Sequence, residues 1–204
     1  MVLLFTIYFF IIGAKHKKMK KYIVKRLNKK YIQEMIIFYK QLDDETIYNR
    51  FCSHVSMDFI EKYIQKLEFQ KNGIFGILNE NNNIIGIGEC ILFENHHQYD
   101  AEVGFVVNPQ YQGKGLGNEL MKRIIRFSKI HNAKILQMYC LKTNNKSLHL
   151  AKKYGLKPII TDGEALAKIN IHRYCSIKEK FKEQLEDIIA GLLITKRRIL
   201  NNWK

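Results

Sequence analysis

Residues 106–117 read Val106-Val107-Asn108-Pro109-Gln110-Tyr111-Gln112-Gly113-Lys114-Gly115-Leu116-Gly117. An apolar strand pattern runs into a proline, then a Gln-x-x-Gly-x-Gly turn, then an amphipathic helix. Glycines at 113, 115 and 117 let the backbone turn sharply and bring N–H groups close to a ligand. The helix that follows has free N–H groups and the positive end of its dipole at the same place. Together these make an anion site suited to a pyrophosphate. The bland alternative is a glycine-rich turn that binds nothing.

Rival phosphate loops fit less well. A Walker loop needs Ser or Thr after Gly-Lys, and here Gly113-Lys114 is followed by Gly115. A dinucleotide fingerprint would need glycine at Asn118.

Outward from the loop, the pattern sorts into helices and strands. Upstream, Ala101–Val107 and Ile84–Phe93 are strand-like, as is Gly73–Leu78, with Glu80-Asn81-Asn82-Asn83 a strong turn signal. Before them, Lys30–Leu42, Asp43–Phe51 and Met57–Leu67 read as three helices, and residues from Lys20 to Arg26 as a first strand. Downstream, Gly117–Ile130 is a helix with Leu120, Ile124 and Phe127 inward, and Lys134–Cys140 a strand. A helix capped by Asn144 or Asn145 ends at Gly155. Leu156–Ile160 and Glu164–Ile171 form a hairpin through Thr161-Asp162-Gly163. This order predicts an α+β (mixed α/β) domain with a central, mostly antiparallel mixed sheet flanked by helices. Ser176–Ile199 predicts an extra C-terminal helix, expected to pack on its own domain through Ile177, Phe181, Leu185, Ile188, Ile189, Leu192 and Leu193. Use of that helix as a dimer contact stays open.

The loop and its surroundings resemble the acyl-CoA pyrophosphate loop of the GNAT superfamily of N-acyltransferases, over about Lys20 to Ile171. A second segment, Asn144-Asn145-Lys146-Ser147-Leu148-His149-Leu150-Ala151-Lys152-Lys153-Tyr154-Gly155-Leu156, resembles the family's Asn-x-x-Ala-x-x-Leu-Tyr-x-Lys-x-Gly-Phe motif. Asn144, Ser147, Leu150, Lys153 and Gly155 occupy motif positions. The resemblance implies a GNAT fold over residues 19–172, with 1–18 an extension and 173–204 the added helix. It implies acetyl-CoA as acyl-donor cosubstrate, with no metal, held by Phe105, Val106, Val107, Gln112, Gly113, Lys114, Gly115, Leu116, Gly117, Asn118 and Asn144. Leu42–Phe51 and Ala101–Val107 look like the bacterial protein-lysine acetyltransferase branch. One departure stands out: the family's acid tyrosine is replaced by Ala151, and Tyr154 lies nearly one helical turn on.

A net charge of +15 invites a nucleic-acid reading. Yet Lys114 to Lys153 alone holds ten basic residues against the single acid Glu119. The excess is thus concentrated after the glycine loop, where a basic rim would focus coenzyme A. With no DNA-binding motif, nucleic acid is the minor alternative. Cys52, Cys90, Cys140 and Cys175 form no C-x-x-C pair, which leaves zinc unsupported and suggests a reducing, cytoplasmic setting. His96-His97 reads as a polar turn. Met1–Ala14 is almost wholly apolar, shorter than the roughly 20 residues that span a bilayer, and is followed by Lys15-His16-Lys17-Lys18. An upstream extension is the preferred reading, and a short membrane anchor the alternative.

The chemistry implied is attack of an amine on a thioester. A lysine amine has a pKa of about 10.4, so a base or a water relay must take its proton. Along Ala101–Val107, Glu102, Gly104 and Val106 share one face, so Glu102 lies where Gly104 leaves room for a ligand. In the lysine-acetyltransferase branch the matching glutamate is the proposed base. The alternative is an exposed strand-end carboxylate with no role. Three functions follow: an N-acetyltransferase acting on a protein lysine or N-terminus, the same chemistry on a small amine such as a polyamine, and a non-catalytic acyl-CoA sensor.

Overall fold

The computed structural model describes residues 21–171 and 176–202. The first eighteen residues, the start of the predicted first strand and Cys175 lie outside the described residues.

Seven strands form one sheet in the order β1-β2-β3-β4-β5-β7-β6. They are β1 (Ile23–Arg26), β2 (Gly73–Leu78), β3 (Ile84–Asn95), β4 (Gln98–Val107), β5 (Ile135–Leu141), β6 (Lys157–Thr161) and β7 (Glu164–Asn170). Neighbours are antiparallel except β4 and β5, which the intervening helix forces to run parallel. Among the described residues six α-helices surround the sheet: α1 (Ile32–Lys40), α2 (Asp44–Phe51), α3 (Met57–Gln65), α4 (Leu116–Ile130), α5 (Asn145–Lys153) and α6 (Ile177–Asn202). The expected mixed, mostly antiparallel sheet with flanking helices and an added C-terminal helix is the observed architecture.

The sheet has a core on each face. On one, α4 buries Leu120, Met121, Ile124 and Phe127 against Phe75, Cys90 and Val103. On the other, Met35, Phe38 and Tyr39 of α1 and Ile60 and Ile64 of α3 cover Ile74, Ile87 and Val106. Coverage on both faces explains why β2 is a continuous apolar run rather than an alternating one. Local chemistry sets the helix starts. The side chains of Asp43, Ser56 and Asn144 accept hydrogen bonds from the backbone N–H groups of Thr46, Phe59 and Ser147. His96 and His97 form the left-handed turn between β3 and β4, as a polar turn should.

The C-terminal helix corrects two expectations. It packs on β1 and α4 with Leu193 of its apolar side among the contacts, but most of that side turns away. Ala190 and Ile194 meet Ile23 and Leu78, and most of the seam is ionic. Arg123 of α4 reaches Glu183 and Asp187, each at 2.7 Å, and Arg126 reaches Glu183 at 3.0 Å and Glu186 at 2.7 Å. Phe181, Leu185 and Ile188 face outward instead. The same seam consumes Arg123 and Arg126, so these two do not form the basic rim expected around the glycine loop.

Candidate active site

β4 and β5 pair only over Ala101–Val103 with Leu136–Met138. Beyond that point β5 stays with β7, and β4 runs on to Val107 with no strand on that edge among the described residues. Two cavities meet at this opening. One, of about 290 Å3, is lined by Phe105, Val106, Val107, Gln112, Asn144 and Ser147, among others. The second, of about 380 Å3, is lined by Glu102, Gly104, Tyr139 and Glu164 together with Tyr63 and Glu89. Arg50 lines both and stands between them.

The first cavity reaches the glycine loop at Gln112, the residue that opens it. Gly113 and Gly115 have φ of 73° and 75°, in the left-handed region that favours glycine. A Cβ at either would meet nothing within 4 Å, so the space above the loop is open. Gly115 is also the cap of α4, and among the described residues no side-chain cap hydrogen bond closes the start of that helix. An uncapped helix start beneath an open, glycine-lined turn fits a pyrophosphate.

The expected ligand residues sort by what their side chains already do. Val106 and Leu116 are buried in the two cores, so only their backbone can face a ligand. Val107 is likewise buried, and Phe105 lies half-buried along the cavity. Gln112 is a brace: its Nε2 donates to the Val107 carbonyl at 2.9 Å, and its Oε1 accepts from Lys146 Nζ at 2.6 Å. Lys114 folds back, donating to the Gln110 carbonyl at 2.9 Å and lying over the Tyr111 ring. Asn118 Oδ1 accepts from the Tyr154 hydroxyl at 2.8 Å. Gly117 opens the helix beside Leu150. Asn144 lines the cavity while capping α5. Ala151, at the position of the family's acid tyrosine, is fully buried.

The second cavity holds Glu102, half-buried, and among the described residues no hydrogen bond or ion pair engages its carboxylate. The space expected above Gly104, however, is not free for a ligand. A Cβ there would lie 2.5 Å from Cζ of Arg50, so the glycine admits the guanidinium. Arg50 Nη2 pairs with Glu89 Oε2 at 2.6 Å, and Tyr63 donates a short hydrogen bond to the same oxygen. Glu89 faces Gly104 across the β3–β4 ladder and is fully buried. Burial works against the charge on Arg50, but Glu89, Tyr39 and Tyr63 more than offset it and hold its pKa above the ordinary value. Burial, reinforced by Glu89, pushes the Tyr63 and Tyr39 hydroxyls well above the usual phenol range. Arg50 Nε and Glu89 Oε1, on two residues that line the second cavity, are buried with no hydrogen-bond partner among the described residues. Such orphaned atoms beside a cavity fit a site that takes a polar guest.

The sequence reading assigned Arg50, Tyr63, Glu89, Lys146 and Glu164 no role. One signal was available: Glu89 is the only charge in the apolar run Ile84–Phe93, and a charge in a buried strand requires a partner. Among the described residues no cluster of His, Cys, Asp and Glu has the arrangement to hold a metal ion.

Comparison with known proteins places this arrangement. The GNAT domain of S. lividans PAT is 18% identical over 72% of this chain and 89% of its own, with a TM-score of 0.63. The structure of yncA from Salmonella typhimurium with its cofactor acetyl-CoA is 14% identical over 77% and 98%, with a TM-score of 0.60. Spermidine N-acetyltransferase from Vibrio cholerae, in complex with CoA and spermine, is 19% identical over 74% and 95%, with a TM-score of 0.57. At these identities the likeness is one of fold. The sequence model of the Acetyltransferase (GNAT) family matches residues 38–156, more than half of the chain and all of the loop, the strand opening and the second motif. The chain belongs to the acetyltransferase (GNAT) family.

Proposed function

We propose that the protein is an N-acetyltransferase that moves an acetyl group from acetyl-CoA directly to a primary amine, with a protein lysine as the acceptor. The observation that carries this reading is the meeting of two cavities at the β4–β5 opening. One reaches Gln112 at the edge of the glycine loop, and the other contains an unpaired carboxylate. A thioester donor and an amine entering from the two sides would approach each other at Arg50, which both cavities share, and that suits direct transfer.

Each residue has a definable task in that scheme. The N–H groups of Gly113 to Asn118 bind the pyrophosphate, with Gln112 and Lys146 fixing the shape of the turn. The unpaired edge of β4 from Phe105 to Val107 holds the pantetheine arm and orients the thioester carbonyl. Glu102 takes the amine proton, directly or through water. Glu89 is nearer the middle of the sheet, but its Oε2 is already engaged by Arg50 and Tyr63. Tyr154 does not stand in for the tyrosine missing at Ala151, because its hydroxyl donates to Asn118. The departing thiolate is then protonated from water.

The lysine reading draws on the likeness of Leu42–Phe51 and Ala101–Val107 to the bacterial protein-lysine branch and on the S. lividans PAT neighbour. A small polycationic amine is the second reading, favoured by Glu164, which lines the same cavity as Glu102. Free cysteines at 52, 90 and 140 support a cytoplasmic setting. The test is thioester consumption with lysine peptides, N-terminal peptides and polyamines. Fastest kcat/KM on lysine peptides supports the first reading and on polyamines the second. Coenzyme A binding without turnover of any amine would leave only the sensor role.

A further inference from the structure

Helix α6 sorts its residues by charge. Glu183, Glu186 and Asp187 turn inward to Arg123 and Arg126, and Glu179 closes back on Ser176 at the start of the helix. With 3.6 residues per turn, the opposite half carries Phe181, Leu185, Ile188, Ile189, Leu192 and Ile199. All six are exposed, Phe181 to 64% and Ile188 to 60%. The charged residues on that outward half are Lys178 and the half-buried Lys196, with Lys182 at its edge beside the groove to α4 and no acid among them. A continuous apolar stripe of this kind on a surface helix marks an interaction site.

The flanking charge selects the occupant. Two copies laid stripe to stripe would set lysines against lysines, with Lys178 on the seam and no outward acid to offset them. An anionic lipid surface fits instead: the apolar side chains enter the acyl boundary and the lysine stems carry their charges out to the phosphates. A second feature points the same way. The chain enters the fold at Lys21–Ile23 directly against α6, where Ile23 packs on Ala190 and Ile194 and Lys21 shares a groove with Lys182. The residues before it, outside the described ones, are apolar from Met1 to Ala14 and then basic at Lys15, Lys17, Lys18 and Lys20.

We propose that the outward face of α6 docks the protein on an anionic bilayer surface. The helix lies on the membrane rather than crossing it, since none of the described helices is long and apolar enough to span. It borders neither cavity at the β4–β5 opening, so docking leaves the acetyl-transfer site accessible.

Co-sedimentation of the full chain with vesicles of phosphatidylcholine, with and without phosphatidylglycerol, tests this. Binding should require phosphatidylglycerol and weaken with salt. Ile188→Glu with Leu192→Glu should lower the partition coefficient at least tenfold, with the melting temperature unchanged. Lys178→Gln and Lys182→Gln should each lower it about fivefold, from about 1 kcal/mol per lysine near an anionic surface. The N-terminal residues are a second source of vesicle binding, but these variants leave them intact. Undiminished binding of the double glutamate variant therefore overturns the proposal, as does equal binding to both vesicle types. A wild-type dimer by light scattering that the double variant dissociates, with no vesicle binding, would assign the face to a second copy.

Discussion

Glu89→Gln probes the ionic septum between the two cavities. Glutamine keeps the shape of the side chain and an oxygen for Tyr63, but it removes the counter-charge of Arg50. That guanidinium has a side chain only 13% exposed and cannot shed its proton in the accessible pH range. Removing one partner of a buried pair costs about 3–5 kcal/mol, a large part of the roughly 5–15 kcal/mol that stabilises a typical domain. For chains of this size each kcal/mol moves the melting temperature by about 2–4 °C. The variant should therefore melt roughly 10 °C lower and show an earlier urea midpoint with an unchanged slope. The double variant Arg50→Met, Glu89→Leu removes both charges and should recover most of the loss. Circular dichroism during thermal and urea unfolding reads both. A loss below about 1 kcal/mol for Glu89→Gln, the value of an exposed pair, would refute the claim that this charge is buried and uncompensated. A double variant no better than the worse single variant would refute the pairing itself.

Gly104→Ala drives a Cβ to 2.5 Å from Cζ of Arg50; it should cost about 1–3 kcal/mol in urea unfolding, and acceptor turnover should fall more than coenzyme A affinity. Glu102→Gln should lower kcat by about 10² to 10⁴ while coenzyme A affinity holds; turnover within about threefold of wild type would make the carboxylate structural. His131 stacks on Phe127 with ring centroids 4.1 Å apart, and burial, with Arg26 and Lys180, holds its pKa below the ordinary 6.5. The folded state thus binds fewer protons than the unfolded one, so this contribution is present above pH 6.5 and is lost as pH falls through the lower folded value. His131→Gln should accordingly narrow the difference in stability between about pH 7.5 and pH 5.5, and an unchanged difference would count against it.

Much of the fold was legible because its signals are local. The β3–β4 turn, the Asn144 cap, the glycine loop and the apolar periods each depend on a few consecutive residues. What escaped depends on partners far apart in sequence. The Arg50–Glu89 pair needs α2 laid across β4 and a register that sets Glu89 opposite Gly104, so Gly104 read as ligand space when it is guanidinium space. Helix α6 was misread for a related reason. Apolar periodicity identified a real stripe, but the side that binds the domain is carried by acids whose arginines lie on α4. Counting hydrophobic residues cannot find an ionic seam. The loop residues were located correctly as a segment, yet Gln112, Lys114 and Asn118 turned out to have side chains engaged within the fold. Their position in sequence does not reveal that.

The central claim is that the glycine turn at the start of α4 binds the pyrophosphate of coenzyme A through its backbone. Calorimetric titration of coenzyme A into wild type and Gly115→Val tests it most directly. Gly115 sits at φ 75°, where a Cβ would meet nothing within 4 Å, so valine acts by straining the backbone, which must shift the N–H groups out of line. The account predicts binding of one coenzyme A by wild type, and at least a tenfold weaker interaction by a variant whose circular dichroism spectrum is native. Wild-type affinity in the folded variant would contradict it.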